Sequence, residues 1–241
     1  MKLLCLGDSI TRAQVSADYV GMVRDRMPKA AVTGSGVNHE MSAALLARLD
    51  DAVAAAPDVV TVLIGTNDLR YALDPADAAG LSRRWGLTGP QDADTYCANL
   101  SDITTRLRDE TGARVALLSP PALGEDPSSR AMTLAAEYAD IVREVAVEHD
   151  VAYLPLHERM RELLGSGPAY RPGGRYAARA AIRHFVLRQG FDTISRSRGL
   201  RLTTDTVHLN GTGATLVADL IAGFALAPAP SPRVPAPTIN R

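Results

Sequence analysis

Short apolar runs alternate along the chain with longer stretches of mixed polarity. Leu3–Leu6, Ala30–Thr33, Asp58–Ile64, Ala113–Ser119 and Val151–Leu156 read as strands. The third, Asp-Val-Val-Thr-Val-Leu-Ile, is β-branched and apolar on both faces. That pattern predicts a strand covered on both sides, as in a parallel sheet. Between the runs, Val15–Met27, Ser42–Ala56, Thr95–Thr111 and Ser128–His149 read as helices, with Gly112 a stop after the third of these.

Strands alternating with helices predict an α/β fold: a three-layer α/β/α sandwich, flavodoxin-like, on a five-stranded parallel sheet. Residues 1–226 are expected to form a single domain. Two stretches exceed the minimal pattern. Residues 74–92 hold Gly80, Trp85, Gly86, Gly89 and Pro90 and read as an inserted loop over the sheet edge. Residues 165–202 begin Gly/Pro-rich and run into a candidate helix, Tyr176–Arg188. This second stretch carries Arg171, Arg175, Arg179, Arg183, Arg188, Arg196, Arg198 and Arg201 against one acid, Asp192. It reads either as a solvated cationic face pairing with acids elsewhere or as a lid or cradle for an anionic group. Residues 227–241 are Pro-rich and lack an apolar face, so an extended, disordered tail is expected.

Composition adds mostly exclusions. The chain has 241 residues, is 46% apolar and has a formal charge of −1. It is long enough for a sizeable core, and the balanced charge gives no reason to expect nucleic acid. Cys5, inside the first strand, and Cys97 suggest no disulfide framework or Cys-based metal site. No run of about 18 apolar residues occurs, so no stable membrane insertion is expected. The short apolar N-terminus does not make a secretory leader, and a cytoplasmic protein is the default expectation.

Four motifs fall after predicted elements. Gly7-Asp8-Ser9-Ile10 follows the first strand and puts the Ser9 hydroxyl at a strand's carboxyl end, where open α/β sheets bind ligands. Gly34-Ser35-Gly36 follows the second strand, as a ligand-approaching turn or a plain strand-to-helix turn. Gly65-Thr66-Asn67-Asp68 follows the strongest strand. Its Asn67 reads either as an amide donor to an oxyanion or as an Asx-type cap. Asp205-Thr206-Val207-His208 puts a carboxylate and an imidazole at i and i+3. Asp205 there can hold one ring nitrogen and leave the other for a serine proton. A surface acid beside a structural histidine is the plainer reading, and no third ligand stands at metal spacing.

Taken in order, these four blocks resemble the SGNH, or GDSL, hydrolase family, from Gly7 to His208. The resemblance implies that Ser9 is the nucleophile, His208 the general base and Asp205 its orienting acid. It implies an oxyanion hole from the Ser9 N–H, a second-block N–H and the Asn67 side chain. Asp8 and Asp68 match motif positions and are expected to organise the loops. Ile10 stands in place of the leucine that ends the family's signature. The second block is the weakest match: Gly34 stands where the family often has asparagine, and either His39 or Gly36 takes the place of the donor glycine. The implied reaction is hydrolysis of a small-molecule carboxylic ester through an acyl-enzyme, with no metal or organic cofactor.

Two rivals remain at this stage. An acyltransferase would use the same triad with an alcohol or amine acceptor, and a flavodoxin-like binding module would do no chemistry. His149, His157 and His184 receive no role. Tyr71, Trp85 and Phe185 read as pocket walls or as core and loop anchors.

Overall fold

The computed structural model describes residues 1–74, 83–166 and 176–228. Residues 75–82 of the first inserted stretch, residues 167–175 with Arg171 and Arg175, and residues 229–241 of the Pro-rich tail lie outside the described residues, as does the side chain of Arg179.

The chain runs through β1 (Lys2–Gly7), α1 (Ser9–Arg12), α2 (Tyr19–Arg26), β2 (Ala31–Gly36), α3 (Ser42–Ala47), α4 (Leu49–Ala54), β3 (Val59–Leu63) and α5 (Thr66–Leu73). It continues through α6 (Ala93–Thr111), β4 (Arg114–Leu118), α7 (Arg130–Glu148), β5 (Ala152–Leu154), α8 (Leu156–Leu164), α9 (Tyr176–Phe185), α10 (Phe191–Arg198) and α11 (Gly211–Leu226). The five strands form one sheet in the order β2-β1-β3-β4-β5, every pair parallel. This is the flavodoxin-like order, with β3 at its centre and the strand order reversing between β1 and β3.

Side-chain alternation divides the interior into two cores. From β1, Leu3 and Cys5 join Val20 and Val23 of α2, Met160 of α8 and Val217 and Ile221 of α11. Leu4 and Leu6 point the other way, to Leu45 of α3, Leu100 and Ile103 of α6 and Tyr138 and Val142 of α7. Burial of Cys5 pushes its thiol up to about 11, so it packs as a small hydrophobe. Among the described residues no helix is long and apolar enough to cross a membrane.

Four expected elements differ. The stretch Val15–Met27 is helical only from Tyr19, because Asp18 accepts the Gly21 N–H (2.8 Å) and caps α2 there. The stretch Ser42–Ala56 breaks at Arg48, whose backbone leaves the helix (φ −110°) while its side chain turns to the buried Glu40. The second strand runs to Gly36, three residues past Thr33, so Gly34-Ser35-Gly36 is strand and not loop. A side chain at Gly36 would put Cβ 2.3 Å from the Arg12 nitrogen, so glycine lets β2 pass against α1. Within residues 165–202, the helix expected over Tyr176–Arg188 ends at Phe185, and α10 follows it.

Candidate active site

The loops leaving β1, β2, β3 and β4 meet the 201–209 loop at the carboxyl edge of the sheet. After β1, the chain turns straight into α1. Asp8 accepts the Ile10 N–H on Oδ1 (2.9 Å), which holds the turn and leaves the Ser9 hydroxyl facing that edge. Burial pushes the Asp8 carboxyl up to about 6 despite the hydrogen bond from Ile10.

Residues 201–209 fold back on themselves. Thr203 pairs with Leu209 in an antiparallel bridge, and the Thr204 N–H donates to the His208 carbonyl at 2.7 Å. At the tip, Thr206 has a left-handed backbone (φ +75°), a strained state for a β-branched residue. The Gly124 N–H holds it by donating to its carbonyl at 2.7 Å. This reversal brings the Asp205 carboxylate back over its own loop. Oδ1 accepts the N–H groups of Val207 (3.1 Å) and His208 (2.8 Å). Oδ2 lies 2.8 Å from His208 Nδ1. Burial opposes ionisation of Asp205, but the hydrogen bonds from the His208 ring and from the two backbone groups outweigh it and hold the carboxyl below its usual range.

A carboxylate only accepts, so His208 Nδ1 carries its proton toward Asp205 and Nε2 is the acceptor. Nε2 stands 3.0 Å from Ser9 Oγ. Ser9, His208 and Asp205, at most 9% exposed, thus form one buried hydrogen-bonded chain.

Beside it, β3 ends at Gly65, whose backbone is left-handed (φ +119°) and starts α5. Asn67 is buried on the first turn of that helix. Its Oδ1 accepts from Arg70 at 3.2 Å, and its Nδ2 donates to the Glu40 carbonyl at 2.9 Å and faces Asp8 Oδ2 at 3.4 Å. The loop after β2 comes to meet it. His39 has a left-handed backbone (φ +63°), which is why glycine suits this position in the resembled motif. The Trp85 indole donates to the His39 carbonyl at 2.8 Å. Gly36 lies below this loop. The next N–H, that of Val37, donates across to the Gly7 carbonyl (3.2 Å), so ladder alternation directs the Gly36 N–H away from β1.

The GDSL-like lipase/acylhydrolase family model matches residues 5–216. The chain belongs to that family. It is an enzyme acting on ester bonds. Among curated proteins none matches the chain. Solved structures resemble it in fold. The acetyl xylan esterase AlAXEase is 22% identical with a TM-score of 0.67, over 94% of this chain and all of that one. Axe2, an acetylxylan esterase from Geobacillus stearothermophilus, is 18% identical with a TM-score of 0.65, over 94% of each chain. LAE5, an alpha/beta hydrolase from the metagenome of Lake Arreo, Spain, is 20% identical with a TM-score of 0.66, over 94% of this chain and 96% of that one.

Two residues that support this esterase's candidate site, Glu40 and Arg48, carry no local sequence signal. Glu40, fully buried, takes both oxygens to Arg48 at 2.5 and 2.6 Å. Arg48 also donates to Ser35 Oγ (2.8 Å) and the Ser35 carbonyl (3.1 Å), fastening the second-block loop to the end of β2. Asp68 accepts from the Ser42 backbone at 3.1 Å and its hydroxyl at 2.5 Å, tying α5 to α3. Burial raises the Asp68 carboxyl to about 6. Asp8 and Asp68 thus hold loops together.

Other singled-out residues lie elsewhere. His149 bonds Ser101 (2.7 Å), and His184 stacks on Phe191 with ring centres 4.0 Å apart. Phe185 is exposed on α9, and Tyr71 is half-buried on α5. Arg183, Arg198 and Arg201 of the second stretch donate to backbone carbonyls and neutral side chains. Arg183 donates to Gln189 and Ser197, Arg198 to the Thr204 carbonyl and Arg201 to the Leu164 carbonyl. These bonds fasten the stretch to itself, to α8 and to the loop of Asp205 and His208.

Proposed function

We propose that this esterase works through an acyl-enzyme on Ser9, with His208 as general base and Asp205 as its orienting acid. The observation that carries the reading is the continuous chain from Ser9 Oγ to His208 Nε2 (3.0 Å) and from Nδ1 to Asp205 (2.8 Å). Ser9 Oγ attacks the ester carbonyl carbon while its proton passes to Nε2. The carbonyl π electrons move to oxygen, and the oxyanion receives hydrogen bonds from the Ser9 N–H, the His39 N–H and Asn67 Nδ2. Collapse of the tetrahedral intermediate breaks the bond to the alcohol, which leaves with the proton from Nε2. Water then attacks the acyl-enzyme by the same steps, and Ser9 regains its proton. His39 is preferred to Gly36 as the second backbone donor, because the Gly36 N–H is directed to the outer edge of β2.

Two further points support the reading. Catalytic mutants of the Geobacillus stearothermophilus enzyme replace a serine, an aspartate and a histidine, the same three residue types. Residues 1–226 are read as one catalytic domain carrying all of these groups. Acetylated xylan fragments join short p-nitrophenyl esters as first substrates, since two fold neighbours are acetyl xylan esterases. The test compares wild type, Ser9→Ala and His208→Ala on p-nitrophenyl acetate, with fluorophosphonate labelling located by mass spectrometry. The expected result is labelling at Ser9 and near-complete loss of turnover in both variants. Wild-type rates in Ser9→Ala would overturn the mechanism.

A further inference from the structure

Glu125 lies in the loop between β4 and α7 and is fully buried. Its carboxylate accepts hydrogen bonds from one short stretch of chain. Oε2 takes the Arg201 N–H at 2.6 Å. Oε1 takes the Leu202 N–H (2.9 Å), the Thr203 N–H (2.7 Å) and the Thr203 hydroxyl (2.7 Å). A carboxylate has about four lone-pair sites, so these donors saturate it. Residues 201–203 are the limb that enters the loop of Asp205 and His208.

We infer that Glu125 is a positioning residue for the reaction: it fixes that loop at the distance from Ser9 that proton transfer requires. The inference rests on the reading of Ser9 and His208 proposed above. The limb leaving the loop is anchored on the Ser9 side, where the Ala17 N–H donates to the Leu209 carbonyl at 2.9 Å. The entering limb is anchored by Glu125, and the neighbouring Gly124 N–H holds the tip at Thr206. The Asp205–His208 bond is internal to the loop and moves with it. The Ser9–His208 bond crosses from α1 to the loop, so its length depends on where the limbs are held. A displacement of about 1 Å in a reacting pair costs on the order of 10²-fold in rate. Charge-assisted bonds to backbone N–H groups are stiffer than neutral ones, which suits a carboxylate to this task.

Glu125→Gln preserves volume but turns at least one acceptor toward a donor. Glu125→Asp keeps the charge and draws the carboxylate back by one methylene. The full chain is measured for kcat and KM on p-nitrophenyl acetate, fluorophosphonate labelling rate, the low-field proton resonance between Asp205 and His208, and the pH profile of kcat/KM. In Glu125→Gln, kcat and the labelling rate are expected to fall together by about 10–100-fold. KM, the low-field proton and the pH midpoint are expected to stay close to wild type, because the Asp205–His208 pair is intact. Glu125→Asp, which also serves if the glutamine variant does not fold, is expected to fall between that variant and wild type. Wild-type kcat per folded molecule in either folded variant, with only a lowered melting temperature, would overturn the inference. So would loss of the low-field proton along with activity, because the pair itself would then have collapsed. Ser9→Ala run alongside separates the two failures: full activity there removes the catalytic reading itself.

Discussion

The side-chain amide of Asn67 donates to the backbone carbonyl of Glu40 at 2.9 Å and so ties the start of α5 to the loop after β2. Its other hydrogen faces Asp8 Oδ2 at 3.4 Å, too long to hold it firmly. One amide hydrogen is committed to the loop, and the other is available to an oxyanion. Asn67→Ala is expected to lower kcat by about 10²–10³ with little change in KM, the range for loss of one oxyanion donor. Steady-state kinetics on p-nitrophenyl acetate check this, and an unchanged kcat would remove Asn67 from the oxyanion hole.

His39 holds a left-handed backbone (φ +63°), which a side chain beyond glycine adopts at a cost of about 1–2 kcal/mol. Only its N–H is assigned to the oxyanion, so the imidazole is dispensable. His39→Gly is expected to keep kcat within a few-fold. Relief of the strain, less the extra chain entropy of glycine, should raise stability by up to about 1 kcal/mol. Kinetics and urea melts read both; a loss of kcat as large as that of Asn67→Ala would assign chemistry to the ring.

Gly65 is the opposite case. Its backbone is left-handed (φ +119°), and a Cβ there would lie 2.6 Å from the Tyr96 hydroxyl. That hydroxyl donates to the Ile64 carbonyl at 3.0 Å, so it is not free to move aside. Gly65→Ala combines backbone strain with overpacking and is expected to cost about 3 kcal/mol or more. Chemical denaturation measures it, and a loss below about 1 kcal/mol would show that this turn has slack.

His157, at the start of α8, is 2% exposed, and neither ring nitrogen has a hydrogen-bond partner in the protein. Burial lowers its affinity for a proton below the ordinary value of 6.5, with Arg161 adding to the effect. Below about pH 6.5 the unfolded chain therefore binds a proton that the folded chain refuses, and stability falls as pH falls through that window. Asp8 and Asp68 act with the opposite sign. Their carboxyls titrate near 6 in the fold against an ordinary 3.8, so their ionisation costs stability as pH rises toward 6. His157→Leu leaves both aspartates in place and isolates the histidine. It is expected to gain about 1 kcal/mol at pH 7 by removing unpartnered polar atoms, and more at pH 5. Melting temperatures of the two proteins across that range check this; a gap that narrows on acidification would contradict it.

The sheet and three of the four motifs were legible because they depend on neighbours in sequence. The apolar β-branched run over Val59–Leu63 predicts a buried central strand from its own composition, and Ser9 and Asn67 each follow a strand closely. Asp205 and His208 are three residues apart, and their bond forms inside one loop. Other features could not be read this way. Gly34-Ser35-Gly36 has poor strand propensity and becomes strand through its pairing with β1. The helix expected over Ser42–Ala56 breaks because folding brings Arg48 to the buried Glu40 and to Ser35.

The sequence by itself determined the alternation of five strands with helices, which follows from periodicity, and its four blocks carried the resemblance to the family and the residue types of the candidate site. Tertiary structure alone decided the 3.0 Å from Ser9 to His208, residues 199 positions apart in the chain. It also decided the burial of Glu125 beneath residues 201–203, 76 to 78 positions away. The physical reason is that a hydrogen bond requires its partners within about 3 Å. For residues so far apart in sequence, only the packing of the two cores around the sheet sets that distance.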